Sequence, residues 1–87
     1  MNWNDATEDL LQQILSRTPR PIRDETEAQL KRSAESLAEE QGLSRVGVNT
    51  LIAAWIQSTP ATVRPDMGRQ LEQLGLDPEE FADLLES

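Results

Sequence analysis

The 87 residues include no cysteine, no histidine and no tyrosine. Without cysteine there is no disulfide and no thiolate nucleophile, and without histidine the commonest general base and the usual zinc and haem ligand are missing. Lys31 is the single lysine, flanked by Arg32. A Schiff-base lysine needs a dry pocket that short helices hardly provide. There is no glycine-rich phosphate loop and no apolar run near the roughly 20 residues of a membrane span. These absences lead to the expectation of a non-catalytic protein that calls for no cofactor and does not insert into a membrane.

Cations are scarce too. Sixteen Asp and Glu stand against eight Lys and Arg, a net charge of -8. Such a field repels phosphate backbones, so nucleic acid is not the expected partner. The N-terminus, Met1-Asn2-Trp3-Asn4-Asp5, shows neither a basic stretch nor an apolar signal core, which fits a cytoplasmic protein. One domain is expected, burying only about 60 to 65% of the unfolded chain's surface. Helix caps or a bound partner then weigh heavily in its stability.

What apolar content there is falls into helical stripes. Leu10, Leu11, Ile14 and Leu15 mark one face of a helix over 4–16, with Asn2 or Asn4 as cap, ending near Thr18 ahead of Pro19 and Pro21. Asp24 with Glu27 reads as a capping box opening a second helix. Its stripe of Ala28, Leu30, Ala34, Leu37 and Ala38 runs to Gly42, a C-cap that would turn Leu43 back onto Leu37 or Ala38. Val48, Leu51, Ile52, Trp55 and Ile56 form a third face that stops before Pro60. Pro65 opens a fourth helix with Met67, Leu71 and Leu74 inward and Gly75 closing it. Asp77, Pro78 and Glu80 open a fifth with Phe81, Leu84 and Leu85 inward. No strand pattern competes.

A shift of 41 residues lays Leu10 on Leu51, Thr18 on Thr59, Pro19 on Pro60, Arg23 on Arg64 and Leu30 on Leu71. Both copies read Thr-Pro, two residues, a branched aliphatic, Arg: Ile22-Arg23 in one and Val63-Arg64 in the other. Gly42-Leu43 pairs with Gly75-Leu76 once eight residues are dropped from the second copy. The expected fold is all-α, a compact five-helix bundle made of two helix-hook-helix units.

Trp3, the run Pro19-Arg20-Pro21-Ile22-Arg23 and the segment Ala38-Glu39-Glu40-Gln41-Gly42-Leu43 resemble the small helical domain at the C-terminus of the B subunit of light-independent protochlorophyllide reductase, which also occurs as a free-standing short protein. The resemblance covers residues 3 to about 56. It departs from the family pattern in a second helix about one turn longer, and residues 59 to 87 lie outside it. It implies a non-catalytic accessory domain over 1–58, with 59–87 as a two-helix extension packed on it in a single folded unit. It also implies a setting in tetrapyrrole metabolism, chlorophyll biosynthesis, or the assembly of photosynthetic complexes.

The residues themselves point to protein binding. Arg17, Arg20 and Arg23 cluster at the first hook on an otherwise acidic chain, where guanidinium groups suit a carboxylate or a phosphate, or pair with Asp24, Glu25 and Glu27. They also suit the negative end of the first helix. Trp3 lies outside the first stripe, as a staple or as an interface residue. Trp3, Arg17, Arg20, Ile22, Arg23 and Arg64 are thus the candidate interaction residues, with another protein as partner. The acidic end, Asp77, Glu79, Glu80, Asp83 and Glu86, lacks the ligand spacing of a calcium loop and reads as a capped, solvated helix. Two other readings stay open. A helix-turn-helix DNA regulator would read with the third helix, which has no Lys or Arg from 46 to 63. A binder of a tetrapyrrole-like apolar ligand would have to ligate it without histidine.

Overall fold

The computed structural model describes residues 2–86, the side chain of Glu86 excepted. Among them the chain forms β1 (Asn2–Trp3), α1 (Asp5–Ser16), α2 (Arg20–Glu40), β2 (Arg45–Val46), α3 (Val48–Ser58), α4 (Arg64–Gln73), a 3₁₀ turn (Pro78–Phe81) and α5 (Ala82–Glu86). The fold is all-α, with five helices.

Asn4 caps α1: its Oδ1 accepts from the Thr7 amide at 2.7 Å and from the Thr7 hydroxyl at 2.7 Å. That pairing lets Thr7 lie fully buried beside Leu10, Leu11, Ile14 and Leu15. Helix α2 begins at Arg20, a full turn before the Asp24 expected from the capping-box pattern. Pro19 is extended (φ -56, ψ 140) and serves as N-cap, while Pro21 sits in the first turn, where the amide it lacks would have no helical acceptor anyway. The hook between α1 and α2 is therefore only Arg17 to Pro19, and Ile22 and Arg23 ride on the first turn of α2.

In α2 the buried residues are Leu30, Ala34 and Ala38, spaced four apart; Leu37 is half-buried and Ala28 is exposed. This narrow row of small side chains lets α2 lie along α3, which offers Leu51, Ile52, Ala54 and Ile56 in return, all buried. Helix α3 touches α1, α2 and α5, so it forms the middle of the bundle, with Val48 and Trp55 half-buried at its edge. Helix α4 buries Met67 and Leu71 and packs on the 3₁₀ turn and on α5, where Phe81 completes a core cluster that runs from Leu10 to Phe81.

Two further features depart from the sequence pattern. The fifth helix starts as a 3₁₀ turn, with Asp77 accepting from the Glu79 amide at 3.0 Å rather than from the third residue of an α-helix. A parallel two-residue ladder also exists, Asn2 opposite Arg45 and Trp3 opposite Val46. Two residues cannot display strand periodicity, and their pairing depends on where α1 and α2 place them.

Helices α2 and α4 end identically. Gly42 (φ 73) and Gly75 (φ 80) are left-handed. Leu43 N donates to Ala38 O at 2.8 Å and Gly42 N to Glu39 O at 3.0 Å, and the same bonds recur as Leu76 N to Leu71 O at 2.9 Å and Gly75 N to Glu72 O at 3.0 Å. Leu43 nonetheless stays 44% exposed, so the hydrogen bonds of the motif form while its leucine remains largely in solvent. A Cβ at Gly42 or Gly75 would meet nothing within 4 Å, which leaves backbone strain as the only cost. Gly42→Ala and Gly75→Ala are each expected to lose about 1 kcal/mol, checked by urea denaturation; a neutral result at both would contradict the left-handed assignment.

Candidate functional site

The 41-residue repeat of the sequence is matched at the two hooks by the backbone and threonine hydrogen bonds. Thr18 Oγ1 donates to Ile14 O at 3.2 Å, and Thr59 Oγ1 donates to Trp55 O at 2.8 Å. Thr18 N reaches Leu15 O at 3.0 Å as Thr59 N reaches Ile56 O at 3.1 Å, and Ile22 N reaches Pro19 O at 3.2 Å as Val63 N reaches Pro60 O at 3.0 Å. The arginines then fold back on the preceding helix end. Arg23 Nη2 donates to Thr18 O at 3.0 Å. Arg64 Nε donates to Thr59 O at 3.0 Å and to Ile56 O at 3.1 Å, and its Nη2 donates to Gln57 O at 3.3 Å.

Carbonyls in the last turn of a helix have no helical donor, so Arg64 acts as a C-terminal clamp on α3 itself, while Arg23 clamps the hook residue Thr18 just past the end of α1. Both arginines are half-buried. The first clamp is the poorer one, since Arg23 Nε is buried with no hydrogen-bond partner among the described residues.

Comparison with protein-family models, with curated proteins and with solved structures finds no match. Arg23 and Arg64 face inward as clamps. Trp3 is half-buried, paired in β1 and donating from Nε1 to Glu35 Oε2 at 3.3 Å. Arg17 is exposed and its Nη1 donates to the Gln73 side-chain oxygen, tying the first hook to the end of α4. Arg20 is exposed, and Ile22 is 48% exposed between the two hook arginines. The structure thus gathers Arg17, Arg20, Ile22 and Arg23 at one hook and leaves Trp3 and Arg64 elsewhere in the fold.

Two further aliphatic side chains, Val63 and Leu43, outside the candidate interaction residues, are each 44% exposed. Val63 was marked by its match to Ile22 in the repeat; Leu43 carried no signal, since its cap pattern pointed inward. Among the described residues no group of three or more Asp or Glu is placed to hold a metal ion, and no helix is long and apolar enough to cross a membrane. The surface depressions, one lined by Arg32, Ser33, Ser36, Leu37, Glu40 and Gln57 and one by Asn2, Trp3, Asn4, Ser44 and Arg45, are open and predominantly polar.

Proposed function

We propose that the protein is a non-catalytic protein-binding module that docks through its first hook, with Ile22 as the apolar contact and Arg17 and Arg20 beside it. The observation that carries this reading is the exposure of Ile22 at 48% on a rigid helix turn whose neighbour Arg23 is already committed to Thr18. An aliphatic side chain held out by a pre-formed turn loses little freedom on binding. Helix α3 exposes Asn49, Gln57 and Ser58 and no cation, so it offers little to a phosphate backbone. The resemblance of residues 3 to 56 supports tetrapyrrole metabolism or photosynthetic complex assembly as the setting.

Ile22→Asp tests the reading. Because Ile22 is largely exposed, the variant should stay within about 0.5 kcal/mol of the parent in stability. Affinity purification from the native cell should recover a partner with the parent chain and lose it with the variant. Equal recovery by both would reject docking at the first hook.

A further inference from the structure

We infer that the partner segment at the first hook is acidic and carries an aliphatic side chain, and that the second hook, although built alike, does not accept it. This rests on the docking reading above and adds the partner's chemistry. The two hooks share their backbone and threonine hydrogen bonds and each displays one aliphatic, Ile22 at 48% and Val63 at 44% exposure. They differ in charge. The 41-residue shift puts Ser58 and Ala61 where the first hook has Arg17 and Arg20.

Both of those arginines are exposed, and Arg17 is oriented by Gln73. The 21-residue α2 starts there with no side-chain cap and no carboxylate in its first turn, whereas the first turn of α4 carries Asp66. Two exposed guanidiniums and the positive end of a long helix therefore lie within the same short stretch of chain as Ile22, ahead of Asp24 and Glu25 in the next turn. A chain of net charge -8 repels carboxylates as a whole, so an acidic segment needs a local cationic spot of the kind this hook offers.

The test uses the full chain and fluorescein-labelled peptides of about a dozen residues, one of Glu and Leu, one of Gln and Leu, one of Lys and Leu. The Glu/Leu peptide should bind the parent chain better than the Gln/Leu peptide and weaken steeply between about 50 and about 300 mM salt. Arg20→Glu, and the double variant Arg17→Glu/Arg20→Glu, should weaken it by about tenfold or more. Val63→Asp should leave it unchanged. Equal binding of the Glu/Leu and Gln/Leu peptides, no response to charge reversal, or loss on Val63→Asp would overturn the inference. So would tight binding to phosphatidylserine vesicles in place of the Glu/Leu peptide, or preference for the Lys/Leu peptide at the same hook. If Ile22→Asp still weakens the Gln/Leu peptide, docking survives and only the acidic partner falls; if Ile22→Asp changes neither peptide binding nor partner recovery, the docking reading falls with it.

Discussion

Leu51→Ala is expected to be the more damaging of a matched pair, losing about 3 to 5 kcal/mol, while Leu10→Ala loses about 2 to 3 kcal/mol. The two leucines correspond in the repeat, but Leu51 has no exposure and sits on α3, in contact with α1, α2 and α5, whereas Leu10 is 7% exposed on α1. A cavity at Leu51 is enclosed by several helices that cannot all collapse into it, so more of the lost contact energy stays lost. For a chain this short, total stability is of the order of 5 to 13 kcal/mol, and the Leu51 variant should be marginal at body temperature. Urea midpoints of the two variants check it. Equal losses would mean that α3 is not the shared centre of the bundle.

Arg64→Ala should cost about 2 kcal/mol, a fall in melting temperature of roughly 8 to 16 °C for a domain of this size. Three carbonyls at the end of α3, those of Ile56, Gln57 and Thr59, lose a charged donor at once. Arg23→Ala should cost about half as much, because Arg23 donates to Thr18 O through Nη2 and its buried Nε makes no compensating bond among the described residues. Calorimetry on the two variants reads the difference. An Arg23 loss equal to or larger than the Arg64 loss would contradict the unequal clamps.

Much of this fold was legible in the chain, since proline and glycine punctuate apolar stripes that have one helical reading. The start of α2 was misread because Asp24 and Glu27 satisfy a capping pattern that an interior turn can also contain. Pro19 and Pro21 follow the end of α1 as their spacing implies, and they also open α2 as its cap and a first-turn residue. The β1–β2 ladder and the role of Trp3 were not legible, because they arise only after two helices have brought distant residues together. At the hooks, the repeat pointed to the right residues but not to their directions. Spacing places Ile22 and Arg23 side by side, and only the carbonyls of the preceding helix decide that the arginine turns in and the isoleucine out.

That ladder also has a kinetic side. Asn2 meets Arg45 across 43 residues of chain, a closure whose entropy must be met before the two strand pairs return anything. Trp55 is part of α3 and half-buried at the edge of the core, so its surroundings come from helix packing; Trp3 also packs against the core, but gains Glu35 and β2 only when the loop shuts. The protein's two indoles thus report different contacts, and single-tryptophan versions of the chain are expected to time helix packing and loop closure separately.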